Sequence, residues 1–153
     1  MTEERDIAFD YLPDPDNPGW MIWGPRHNGQ FNTLFNPVRV CEEGASVARV
    51  RILPEEILTS TTGKMHGGAT AAFIDIAIFA GARGCGINQS GFAVTVDLSI
   101  QFLLPGEARR NMDAVVELVR ETGRMAFLRG TVEQDFGVIA TFMATIRKVG
   151  QGK

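Results

Sequence analysis

The chain has 153 residues, 44% hydrophobic and 22% charged, with a net charge of −3. That length suits one domain able to bury about two-thirds of its extended-chain surface. The acidic balance offers no bulk attraction to nucleic acid or an anionic membrane. The cysteines Cys41 and Cys85 are far apart and carry neither a disulfide framework nor a metal-ligand spacing.

The start, Met1-Thr2-Glu3-Glu4-Arg5-Asp6, is acidic and lacks the apolar run of a secretory signal, so a cytoplasmic location is expected. Residues 1–32 read as an irregular arm, because Pro13, Pro15, Pro18 and Pro25 with Gly19, Gly24 and Gly29 oppose long regular elements. Trp20, Met21, Ile22 and Trp23 lie inside it and seek burial, either pinning the arm to the domain or to a neighbouring subunit, or walling a ligand pocket.

A single domain is expected over 33–150. Val38 and Val40 flank Arg39, Glu42-Glu43-Gly44 turns the chain, and Ala48, Val50 and Ile52 then alternate with Arg49 and Arg51. That is a hairpin with one wet face. Pro54-Glu55-Glu56 begins a short helical turn, and the polar residues from Thr59 to Lys64 form a loop.

From Gly68 to about Arg83 the chain carries no proline and one internal charge, Asp75. Apolar residues occupy nearly every side of the helix this run forms, which marks a buried helix. Sixteen residues reach roughly 24 Å, too short to span a bilayer comfortably. Asn88-Gln89-Ser90-Gly91 then turns the chain into the clearest strand. Phe92, Val94, Val96, Leu98, Ile100 and Phe102 share one face, and Ala93, Thr95, Asp97, Ser99 and Gln101 the other. Strands at about 112–120, 124–133 and 138–148 follow, with short glycine-bearing connections that favour antiparallel hairpins. The fold class is α+β, an antiparallel sheet curled round one long central helix at about 68–83.

Asp75 is the residue with chemistry to explain. Ionised and unpaired in an apolar core it would cost several kcal/mol, or neutralise. It is therefore a functional carboxylate reached by a cleft, or else one bonded to a backbone group or an arginine. Gly67 and Gly68 stand at the start of the same helix, where N–H groups lack internal partners and no side chain blocks a ligand oxygen. Donors of that kind form an oxyanion-hole arrangement, whereas a Gly-Gly step by itself is a tight turn. Gly67 and Asp75 are eight residues apart, roughly 12 Å along one helix, a poor span for one reacting carbon to meet both from the same chain. A symmetric dimer brings the glycine of one subunit to the aspartate of the other.

His66-Gly67-Gly68, the run Ala69-Thr70-Ala71-Ala72-Phe73-Ile74-Asp75, and Val94-Thr95-Val96-Asp97-Leu98-Ser99-Ile100-Gln101-Phe102 together resemble the hotdog-fold acyl-CoA thioesterases of the PaaI type. The similarity covers roughly Val38 to Lys148. It implies a hotdog fold, a homodimer with a continuous sheet that pairs further into a homotetramer, and hydrolysis of an acyl-CoA thioester to a free acid and coenzyme A. Coenzyme A enters as part of the substrate; no separate cofactor or metal is implied, nor a nucleic-acid or membrane partner.

By position, the resemblance makes Asp75 the nucleophile or the base that activates water. Gly67 donates its N–H to the thioester carbonyl from the opposite subunit, with His66 and Gly68 shaping that corner, and Thr95 positions the water or the carboxylate. Many relatives carry an asparagine six residues before the histidine; here Ser60 stands there, with a shorter reach. Arg124, Arg109 and Arg110 are candidates for the phosphates of coenzyme A. Two rival readings share the fold. A hydratase or dehydratase needs an Asp/His arrangement that His27 and His66 do not supply, and a non-catalytic acyl-CoA-binding protein has no need of Asp75. Phe73, Phe79, Phe92 and the Trp20–Trp23 cluster either line the acyl pocket or are plain core.

Overall fold

The buried helix forms at Gly67–Gly84 (α1), one residue longer at each end than its apolar run predicts. In this computed structural model, which describes residues 9–26, 29–87 and 93–148, the strands are Phe9–Pro13 (β1), Met21–Pro25 (β2), Val38–Gly44 (β3), Val47–Ile52 (β4), Ala93–Phe102 (β5), Met112–Glu121 (β6), Met125–Gln134 (β7) and Gly137–Lys148 (β8). All eight join one antiparallel sheet in the order β1-β2-β3-β4-β6-β7-β8-β5. His27, Phe92 and the 88–91 turn lie outside the described residues.

The inner face of the sheet follows the period-two pattern of β4, β6, β7 and β8. Val50, Ile52, Ala114, Val116, Leu128 and Ile146 close over Phe73, Ile74, Ala77 and Ile78 of α1, all of them 2% exposed or less. Phe73 is therefore plain core, where burying a side chain of its size contributes about 2–3 kcal/mol. The helix can lie this close because Gly81 faces β6: a Cβ there would sit 2.6 Å from the Val116 side chain.

Gly130 on β7 is tighter still. It stands between Val116 and Phe142 in the register, and an added Cβ would lie 2.0 Å from the Val115 carbonyl oxygen. Backbone cannot retreat as a side chain tip can. Gly130→Ala is expected to destabilise the protein by about 3 kcal/mol, at the upper end of overpacking costs. That lowers Tm by roughly 6–12 °C for a chain of this size, which a thermal melt reads directly.

Two expectations are corrected. Within its described residues the arm is not irregular: β1 and β2 extend the sheet beyond β3, with Trp23 opposite both Tyr11 and Val38. Pro13 and Pro25 are compatible with this because each is the last residue of its strand. Trp23 is buried, stacked on Phe9 at 4.9 Å between ring centroids, and Trp20 lies under the Arg51 guanidinium at 4.7 Å. The tryptophans thus pin the arm to the domain. Asp14, buried nearby, accepts from Arg39 Nε at 2.6 Å, which with the Asp16 amide holds its carboxyl down at about 2.

The second correction concerns β5. Its pairing with β8 slips between Thr95 and Asp97, so Val96 is an extra, bulged residue. A bulge reverses the alternation. Leu98 and Ile100 pack against the core as expected, but Val94 and Val96 are exposed, at 37% and 56%, and Thr95 turns inward toward α1.

Candidate active site

The chemistry of the first turn of α1 follows from counting its four unpaired N–H groups. His66 is the N-cap, with extended φ −64° and ψ 133°. Its backbone carbonyl accepts from Ala69 and Thr70 at 2.9 and 3.0 Å. Its imidazole folds back so that Nδ1 accepts the Gly68 N–H at 2.8 Å, which places the ring proton on Nε2. A Cβ on Gly68 would lie 3.0 Å from that same nitrogen, so the second glycine leaves room for the imidazole cap. Only the Gly67 N–H has no partner among the described residues.

Gly67, which carries that free amide, lines an open cavity of about 350 Å³ together with Met65, Thr70, Phe102, Leu104 and Ile139. An exposed helix-start N–H beside an apolar wall is where a carbonyl oxygen is best received.

Asp75 stands two turns along α1, half-buried. One of its oxygens accepts from the Thr95 hydroxyl at 2.6 Å, a contact the Val96 bulge makes possible by aiming Thr95 inward. Asp75 forms no salt bridge among the described residues, although twelve such contacts occur elsewhere in them. Its second oxygen has no hydrogen-bond donor there either. Along one helix, Gly67 and Asp75 are separated by roughly 12 Å. A single protomer therefore holds a hydrogen-bond donor and a carboxylate about two turns apart on one helix.

The other expected contacts divide. Ser60 is occupied in closing its own turn: its hydroxyl is 2.8 Å from that of Thr62 and accepts from the Thr62 N–H at 3.3 Å. Arg109 pairs with Glu56 at 3.1 Å, and Arg110 with Glu107 and Asp135, each at 3.3 Å. Both arginines are thus partly neutralised by their own chain. Arg124 is exposed at the β6–β7 turn and makes no ion pair among the described residues.

Arg120 and Arg147, which the sequence reading did not single out, are likewise exposed, unpaired among those residues, and at the same end of the sheet. Arg147 stands opposite Val94, next to Thr95. Leu103 and Leu104 were missed as well. Two leucines directly after a strand and before Pro105-Gly106 fit no buried period, and that mismatch was the signal.

The family model for the thioesterase superfamily matches residues 62–143, which spans the free Gly67 amide, Asp75 and Thr95. The chain belongs to the thioesterase superfamily. Its fold is the hotdog fold, shared with several solved members. PaaI of E. coli, from the phenylacetic acid degradation operon, is 21% identical over 68% of this chain and 73% of that one, with a TM-score of 0.58. A mutant of the phenylacetic acid degradation protein PaaI from Thermus thermophilus is 24% identical over 77% and 96%, at 0.62. A hypothetical thioesterase from Streptococcus pneumoniae, solved with coenzyme A, is 16% identical over 79% and 92%, at 0.66. No curated protein matches the chain. The superfamily match begins well after β1 and β2, so these strands lie outside the segment it covers. Among the described residues no helix is long and apolar enough to cross a membrane, and no cluster of three or more His, Cys, Asp or Glu side chains could hold a metal.

Proposed function

We propose that this chain hydrolyses acyl-CoA thioesters at a site shared between two protomers. The observation that carries the proposal is Asp75: a carboxylate set in an apolar helix, held on one oxygen by Thr95 and with no cation on the other among the described residues. A structural aspartate in such a place is ordinarily paired. A carboxylate with one bonded and one free oxygen is equipped to take a proton from water or to attack a carbonyl carbon.

The second protomer enters through β5. This strand ends the sheet order, so one side of its ten-residue backbone is unpaired among the described residues. An uncovered edge of that length is an adhesive template. Pairing with the β5 of a second copy about a two-fold axis joins the sheets and brings the Gly67 amide of each protomer toward the Asp75 of the other. The dimer pairs further into a tetramer, as the resemblance implies.

In that site the thioester carbonyl oxygen accepts from the Gly67 N–H. Asp75 takes a proton from water, the resulting hydroxide adds to the carbonyl carbon, and Gly67 stabilises the developing oxyanion. The C–S bond then breaks, and the proton passes to the departing coenzyme A thiolate. Attack by Asp75 itself, followed by hydrolysis of the anhydride, uses the same contacts. His66 holds the Gly68 amide and fixes the helix start, and Thr95 keeps the carboxylate aimed. Arg124, with Arg120 and Arg147, offers cations that form no ion pair among the described residues to the phosphates of coenzyme A. Its binding by the streptococcal relative supports this ligand.

Incubation with aromatic and aliphatic acyl-CoA esters tests the reading. Release of free thiol and acid from at least one ester is expected. Binding across the panel with no thiol released would make the chain an acyl-CoA-binding protein. Hydration of an enoyl-CoA would make it a hydratase.

A further inference from the structure

Resting on that reading, the register in which two β5 strands meet is fixed by what each strand carries. Phe102, its last residue, has its ring 4.0 Å from the place a Cβ on Gly67 would occupy. Thr95, near its start, holds Asp75 at 2.6 Å. The amide donor thus lies against one end of the strand and the carboxylate against the other. Antiparallel pairing of two copies sets unlike ends side by side. Donor and carboxylate come together where Phe102 of one protomer lies beside the partner's Thr95.

Backbone direction says which groups do the pairing. Among the described residues β5 is paired on one side only, with β8. The Leu103 N–H donates to the Ile139 carbonyl of β8 at 2.8 Å, and these directions alternate along a strand. The N–H and C=O groups of Asp97, Ser99 and Gln101 therefore face β8, opposite Thr145, Met143 and Thr141. Those of Leu98, Ile100 and Phe102 face the open edge.

A two-fold axis perpendicular to a sheet sets one residue against its own copy. Centred on Ser99, it pairs Leu98 with the partner's Ile100 through edge-facing groups. The two Ser99 residues then form a close pair without mutual hydrogen bonds, their Cα atoms about 4.5 Å apart.

The Val96 bulge completes the match. Leu98 and Ile100 pack inward, so unbroken alternation would turn residue 95 outward. The extra residue brings Thr95 inward instead, level with the partner's Phe102. One step further, Leu103 comes opposite the partner's Val94. Both are exposed in the single chain, at 52% and 37%, and each covers the other in the pair. Asp97 meets the side-chain amide of the partner's Gln101. An axis moved to Leu98 would set Val94 against the partner's Gln101, and one moved to Ile100 would set Leu103 against the partner's Asp97. Either move also slides Gly67 past the partner's Asp75 by two residues of strand, roughly 7 Å.

We infer that β5 pairs with its own copy about Ser99, that the Val96 bulge is what sets Thr95 and Asp75 of one protomer against Phe102 and Gly67 of the other, and that the site is incomplete in any other register.

Cysteine cross-linking of the full chain under mild oxidation reads the register, with the wild type as control for Cys41 and Cys85 and peptide mapping to identify the bridge. Ser99 is exposed, so a cysteine there leaves the core untouched. A close pair of this kind suits disulfide geometry, and Ser99→Cys alone is expected to bridge at least about half of the chains as covalent dimers. Asp97→Cys and Gln101→Cys should each stay unbridged alone and cross-link when mixed. A bridge between Asp97→Cys and Ser99→Cys chains, or between Ser99→Cys and Gln101→Cys chains, with none in Ser99→Cys alone, overturns the inference. So does the absence of every bridge. Bridging through Ser99→Cys with no thiol released from acyl-CoA by the wild type supports the register and refutes hydrolysis instead. Thiol release with the bridges of another register refutes the register alone.

Discussion

Asp75→Asn is expected to lower turnover of a hydrolysed acyl-CoA by at least about a hundredfold, with KM little changed. Asparagine keeps the shape of the side chain and can still accept from the Thr95 hydroxyl, so the local structure has no reason to move. What it cannot do is take a proton from water or form an acyl anhydride. The loss should therefore fall on kcat, since the carboxylate acts on the transition state rather than on the resting ester. Unfolding temperature and oligomeric state measured beside the kinetics separate this from damage to the fold. A variant that keeps wild-type turnover would remove Asp75 from the reaction.

A comparable loss is expected from Gly67→Pro, for a reason that isolates one atom. Gly67 is the first helical residue, where proline is well tolerated because its missing N–H would have no intrahelical partner anyway. His66 is already extended, as a residue before proline prefers. The substitution thus deletes the free amide while leaving the helix able to form. Removing one oxyanion donor typically costs about 10²–10³ in kcat.

The two variants together test whether the site is shared. Each is nearly inactive alone. Mixed and allowed to exchange subunits, they should recover roughly a quarter of wild-type activity, because half of randomly assorted dimers are mixed and each mixed dimer has one intact site of two. No recovery, with exchange shown by a mass-tagged protomer, would mean that Gly67 and Asp75 serve the reaction from within one chain.

Much of this molecule was legible in its sequence, and the exceptions have definite physical causes. The helix was readable because its apolar residues leave no wet side, and β6, β7 and β8 because their alternation is unbroken where they cover α1. The place of β5 beside β8 was not, since it joins residues some fifty positions apart and nothing local specifies the partner. The bulge at Val96 was invisible for a different reason: one extra residue changes the phase of a strand without changing its composition. The inward turn of Thr95 was hidden with it, although the residue itself could be singled out by family position.

The arm misled because proline and glycine density argues against strands in general, yet a sheet edge tolerates proline at strand ends. Of the site, the carboxylate and the glycine corner stood out by chemistry. The engagement of Ser60, Arg109 and Arg110 by their own neighbours did not, because side chains distant in sequence or folded into a turn decide it. Leu103 and Leu104 carried a weak signal, being apolar where no period required it.

The two ends of the sheet are unequal, and that inequality bears on how many copies can assemble by this route. Among the described residues the β1 end is five residues long, and it finishes in Pro13, which has no N–H to offer a newcomer. The β5 end is twice as long and carries its full set of donors and acceptors. With only one receptive border per molecule, head-to-head joining uses it up, and the outer borders of the joined pair are both of the blunt kind. In the proposed dimer, accretion by strand addition would then halt at two rather than run on into a fibre, and a larger assembly would be built through the flat faces.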